Sequence, residues 1–207
     1  MAAAQETTRA RIPRPADVRR WARWVGAIAG FPAAGLAARL VAGDIDSVGA
    51  AAVGGLAAGL VLGSAEVTIG GAARDDRARW VLATGVGFAG GLAAGAAAVG
   101  YRTDAASLAL MGAFTGAGVG VAQAASIPMR TVDRIVWAVS VPVLWALAWT
   151  ITANVIVDAD RRHAAFGLSG ALVANAFTGI LHARRVSTGP IDAASAIAPA
   201  TGMAVPR

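Results

Sequence analysis

Two stretches decide how this chain is built: GGLAAGLVLGSAEVTI, residues 54–69, and GAFTGAGVGVAQAASI, residues 112–127. In each, glycine returns at every fourth place and the run closes on one polar side chain, Glu66 in the first and Gln123 in the second. Gly55, Gly59, Gly63 and Glu66 match Gly112, Gly116, Gly120 and Gln123, every pair at an offset of 57. Positions four apart share one face of an α-helix, so each stretch predicts a helix with a flat stripe almost bare of side chains. Such a stripe lets two backbones approach closely, which is how helices associate where water supplies no hydrophobic drive.

Working outward, the whole chain has the composition such helices need. It has 207 residues, 57% apolar and only 14% charged, whereas a soluble domain carries about a quarter charged residues. The charges are clustered, and the runs between them are about 18 to 23 residues long, enough to cross a hydrocarbon core. Six such runs fall at 24–43, 48–68, 80–101, 105–127, 135–157 and 164–182. The expected fold is an all-α polytopic membrane protein of six transmembrane helices. The lipid bilayer is then the first partner expected.

The excluded classes follow from the same counts. All 18 basic residues are arginine, and the formal charge is +6. They flank the apolar runs instead of gathering on one face, so the charge does not imply nucleic acid. With no cysteine there is neither disulfide nor thiolate site, and His163 and His182 stand too far apart for a zinc spacing. No phosphate loop, nucleophile elbow, paired-aspartate motif or metal box is present, so neither metal nor cofactor is expected.

Three segments divide the chain: a polar, arginine-rich head at 1–20, the transmembrane domain at 21–182, and a loose tail at 183–207 broken by Pro, Gly and Ser. The first apolar run, preceded by arginines that include the pair at 19–20, has the outline of an export signal. Its register argues for a retained helix: RW at 23–24 and GLAA at 35–38 match RW at 79–80 and GLAA at 91–94, both at an offset of 56. Pro32 predicts a kink there, and Arg39 is expected to snorkel outward. With the N-terminus inside, fourteen arginines fall on the cytoplasmic side and four, Arg39, Arg102, Arg161 and Arg162, on the other. The positive-inside rule then places both termini in the cytoplasm of a multi-pass cell-membrane protein.

The repeat is the strongest signal. Trp24, Trp80 and Trp137 open the odd-numbered helices, and a degraded third ladder follows as Gly167, Ala171, Asn175 and Thr178. The unit is a helical hairpin of roughly 56 residues used three times, at about 21–73, 74–130 and 131–182. Each unit crosses twice, so the three are parallel repeats about an axis along the membrane normal. Gly87, Gly91 and Gly95 give the third helix its own ladder, and Gly26 and Gly30 mark the first. The fifth is bulky, with Trp145 and Trp149. The ladders admit tight packing or a glycine-lined crevice.

Glu66 is the candidate for chemistry, because an ionisable group in a membrane span is costly. Two readings stand: a deep carboxyl serving as general acid, or an interfacial ion pair with Arg74 or Arg79. Gln123 and Thr178 occupy the corresponding places, so three polar groups share one depth. Asn154 and Asn175 are buried-amide candidates, and His163 and His182 are expected at the interfaces. Asp44, Asp46, Asp104, Asp158 and Asp160 gather carboxylates at the external ends. The three opening tryptophans are expected in an aromatic belt at headgroup level.

GLVLGSAEVTI at 59–69, the arginines that follow, and RWVLATGVGFAGGLAAG at 79–95 resemble a group of bacterial six-helix membrane proteins. Their glycine-zipper hairpins end in Gln or Glu, then a short basic loop and a Trp-led helix. Val67 and Ala124 depart from that pattern, which has Trp after the Glu or Gln. The resemblance spans about residues 20–182, implies the topology and implies no activity. Three functions follow. The first is a non-enzymatic bundle that packs, scaffolds or passes a small solute or lipid. The second is an enzyme on a lipophilic substrate, terpene-cyclase-like or lipid-modifying, with Glu66 as acid and Trp145 and Trp149 stabilising a cation. The third is an accessory subunit docking another membrane subunit through its ladders.

Overall fold

The computed structural model describes residues 15–73, 75–155 and 168–188, the side chains of 155, 168 and 185–188 excepted. All its regular structure is helical: α1 (Pro15–Gly26), a 3-10 turn (Ala27–Ala29), α2 (Gly30–Ala42), α3 (Val48–Thr68), α4 (Arg77–Ala98), α5 (Ala105–Ser126), α6 (Thr131–Val155) and α7 (Leu168–Thr188). No strand occurs among the described residues. α1, the 3-10 turn and α2 form one limb, Pro15–Ala42, and this limb and α3 to α6 are long and apolar enough to cross a membrane. α7, which carries Asn175, Thr178, His182 and Arg184, does not reach that measure. Among the described residues, five candidate spans are therefore found where six were expected.

Boundaries shift at both ends. Pro15 starts the first helix nine residues before the expected span, at a position where a missing N–H costs nothing. The last helix runs to Thr188, just short of Gly189 and Pro190, so the tail begins later than 183. The expected kink is present: the 3-10 turn includes Ile28, the residue whose carbonyl Pro32 can neither bond nor clear. Ser47 and Asp104 cap α3 and α5, accepting from the backbone N–H of Ala50 and Ser107 at 3.2 and 3.0 Å.

Each limb packs on its neighbours in sequence, and α7 returns to α1, so the limbs close into a ring. The glycine ladders set these contacts. A Cβ built on Gly59 would lie 2.6 Å from the carbonyl oxygen of Thr84 on α4. One on Gly91 would lie 2.5 Å from that of Phe114 on α5, and one on Gly112 would lie 2.8 Å from that of Trp145 on α6. Gly55 and Gly63, Gly87 and Gly95, and Gly116 and Gly120 meet the same three neighbours. The ladders are thus filled by the next helix of the same chain. Large apolar side chains instead line the perimeter: Leu40 is 76%, Val86 64% and Val143 63% exposed.

Candidate functional site

The neighbouring helices are antiparallel, so the starts of α1, α4 and α6 and the ends of α3, α5 and α7 meet at one end of the ring. That end carries Arg19, Arg20, Arg23, Arg77, Arg79, Arg130, Arg134 and Arg184. Within it the three opening tryptophans leave the surface altogether. Trp24, Trp80 and Trp137 are 2%, 0% and 3% exposed, which overturns the expected headgroup belt. Their ring centroids are 6.3, 5.8 and 6.0 Å apart, two of the three pairs edge-to-face, within the range of favourable aromatic contact.

A buried indole needs an acceptor for its N–H, and each of these finds the polar residue that ends a ladder. Trp80 Nε1 donates to Glu66 Oε2 at 2.8 Å, and Trp137 Nε1 to Gln123 Oε1 at 3.1 Å, both across 14 residues. Trp24 Nε1 donates to Thr178 Oγ1 at 2.9 Å across 154 residues, where the ring closes. Gln123 Nε2 then ties two hairpins together, donating to Glu66 Oε2 at 3.0 Å and to Thr84 Oγ1 at 2.9 Å. The reason these tryptophans are inside is this tripled match of donor and acceptor at one depth.

Glu66 is buried and held by two side-chain donors, both on Oε2. Of the expected arginine partners, Arg79 pairs with Asp76 at 3.2 Å, and Arg74 lies outside the described residues. Arg23 and Arg134 cover helix ends instead, donating from Nε to the carbonyl oxygens of Ile69 and Ala124, each at 3.1 Å. The interfacial ion pair with Arg79 is therefore replaced by a buried hydrogen-bonded carboxyl group.

Other expected positions divide. Asn175 is buried, whereas Asn154 is exposed and donates to the carbonyl of Thr150, one turn back on its own helix, at 2.8 Å. His182 is buried inside the ring: it is 3% exposed and stacks on Trp24, with centroids 4.4 Å apart. Arg39 reaches the opposite end of the ring, where it pairs with Asp44. Asp104 caps α5, and hydrogen bonds from the Ser107 hydroxyl and backbone N–H hold its carboxyl below the usual aspartate range. His163, Asp158, Asp160, Gly167 and the outer arginines Arg161 and Arg162 lie outside the described residues.

Beyond the tryptophans the interior opens. A cavity of about 510 Å³ runs to the end marked by Arg39, Asp44, Tyr101 and Thr103. Its wall is made by Ala34, Ala58, Leu62, Leu92, Met111, Trp149 and Ala174, among others. Phe31, Phe88 and Trp145 also line it, with Trp145 lying 6.3 Å from Phe31 and 5.4 Å from Phe88 between centroids. On the other side of Phe31 and Trp145 lies a space of only about 10 Å³, bordered by Glu66, Gln123, Asn175 and Thr178, barely room for one water. An aromatic partition thus separates the roomy half of the axis from the polar knot.

Sequence reading singled out Trp145 and Trp149 but missed Phe31, Phe88 and Thr84. The signal for the first two was there: Phe31, Phe88 and Trp145 are spaced by 57 and 57. Thr84 carried a weaker one, one helical turn after Trp80 and so on its face. Set against known proteins, the chain matches no family model, no curated protein and no solved structure.

Proposed function

We propose that this is a multi-pass membrane protein, non-enzymatic, whose three helix pairs stand the same way up around one axis and whose axial cavity binds a small lipophilic molecule. The arginine-rich end faces the cytoplasm, as do both termini. Five long apolar helices and an outward-facing set of large aliphatic side chains support the bilayer setting. Matched contacts support the threefold template: Trp80 to Glu66, Trp137 to Gln123 and Trp24 to Thr178.

The observation that carries the functional reading is the cavity of about 510 Å³ on the ring axis, with an aromatic floor and aliphatic walls. Its size falls among small-molecule sites, about 300–1,000 Å³. Passage of a hydrated solute is disfavoured, because Phe31, Phe88 and Trp145 interrupt any polar track between the cavity and Gln123. Catalysis at Glu66 is disfavoured as well, since the carboxyl borders the space of about 10 Å³ and not the roomy cavity. Docking through the ladders loses its basis where the glycines already face helices of the same chain.

The test is equilibrium binding in phosphatidylcholine nanodiscs. A bromoalkane entering the cavity quenches Trp145 and Trp149 saturably, and Ala58→Phe, which fills the wall, abolishes that saturable component. Quenching that rises linearly with probe, or that survives Ala58→Phe, defeats the reading.

A further inference from the structure

We infer that the cavity is built for a neutral, single-tailed amphiphile, its tail against Phe31, Phe88 and Trp145 and its hydroxyl-bearing head at the Arg39–Asp44 end. The inference rests on the cavity being a lipophilic site and goes on to name the class of its occupant.

Polarity along the wall is the first ground. Phe31, Ala34, Gly35, Ala38 and Arg39 line the cavity from α2, at the spacing of a single helix face. Over about 12 Å of helical rise this face passes from aromatic, through small, to charged. The tail-binding depth and the head-binding mouth are therefore distinct places. The volume suits one tail of medium length and falls short of a two-chain phospholipid.

Charge at the mouth is the second ground. Arg39 and Asp44 are the charged residues on the wall, and they pair with each other. An anionic head would add a further negative charge beside Asp44, with Asp46 and Asp104 at the same end. A cationic head would bring a second positive charge beside Arg39. A hydroxyl can accept from the guanidinium and donate to the carboxylate without separating the pair.

Thr152 is the third. It lines the cavity on α6, seven residues beyond Trp145, and is 1% exposed. Its Oγ1 has no hydrogen-bond partner, an expensive omission for a buried hydroxyl. A rotation about χ1 offers that hydroxyl to a hydroxylated ligand, and an unfunctionalised alkane gives it nothing.

The experiment uses the full chain in phosphatidylcholine nanodiscs with three probes of one tail length: ω-bromoundecanol, ω-bromoundecanoate and the plain bromoundecane. Each is titrated to equal mole fraction in the bilayer while tryptophan quenching is followed. The alcohol is expected to saturate at the lowest concentration. Thr152→Val should weaken the alcohol by roughly five- to ten-fold and leave the alkane unchanged, while Thr152→Ser restores alcohol binding. If the three probes titrate alike, if the carboxylate binds best, or if Thr152→Val moves none of them, the occupant is wrongly assigned while the cavity stands as a lipophilic site. If no probe quenches saturably, or Ala58→Phe leaves quenching unchanged, the cavity reading falls with it.

Discussion

The two ends of the ring axis are made from the same register of residues and come out opposite. At the arginine-rich end, corresponding positions carry like groups: Trp24, Trp80 and Trp137, each with a hydrogen-bonding partner at 178, 66 and 123. Equal side chains meet at the centre and leave almost no space. Toward the other end, positions spaced by 57 carry unlike groups: Gly35, Leu92 and Trp149, then Arg39, Ala96 and Ala153. Of these, Gly35, Leu92, Trp149, Arg39 and Ala153 line the cavity. Where positions at this spacing carry like groups the axis is closed, and where they carry unlike groups it is open.

The sharpest way to break this contrast is to remove one tryptophan from each end. Trp80→Ala is expected to cost about 3–5 kcal/mol, since the indole is fully buried and bonded to Glu66. Trp149→Ala, half-buried on the cavity wall, should cost less than half as much. Reversible unfolding in mixed micelles, followed by circular dichroism, compares the two. Equal losses would mean that the closed end is no better packed than the open one.

Next in size are the ladders. Gly59→Ala sets a methyl against the Thr84 carbonyl and should cost about 1–3 kcal/mol. Gly90→Ala meets nothing within 4 Å and should be neutral or slightly stabilising in the same unfolding assay.

Glu66 sharpens the comparison at the closed end. Both donors share Oε2, so Glu66→Gln keeps an acceptor and should cost under about 1 kcal/mol. Glu66→Leu removes the acceptor from Trp80 and Gln123 and should cost about 1–3 kcal/mol. A large loss from Glu66→Gln would show that the carboxyl does more than accept.

The smallest effect belongs to Asp104, at the open end. Its carboxyl is held below the usual range by Ser107, so its stabilising contribution is complete above the unfolded value and disappears as pH falls through the lower folded one. Ser107→Ala should flatten the acid limb of the stability–pH profile. An unchanged profile would show that the Ser107 hydroxyl does not hold the carboxyl down.

Much of this arrangement was legible in the chain. The ladders named their own helices, and Glu66, Gln123 and Thr178 stood out by their place at the ladder ends. The position of the tryptophans was not, because an indole at a helix start ordinarily belongs at the headgroups. Only ring closure brings Trp24 to Thr178, and a contact across 154 residues leaves no trace in local periodicity. The cavity was equally hidden. It depends on where small residues such as Ala34, Ala58 and Ala174 fall relative to the axis, and no single helix records that distance.

Ring closure also bears on how the chain is made. Five of the junctions join limbs adjacent in sequence, but the α1–α7 seam joins the first to the last. During synthesis Trp24 therefore emerges long before Thr178, and until α7 arrives the bundle is an open arc with one indole unsatisfied. Cutting the loop between α3 and α4 and splicing the termini moves that waiting period to Trp80 and Glu66 while leaving the finished molecule the same.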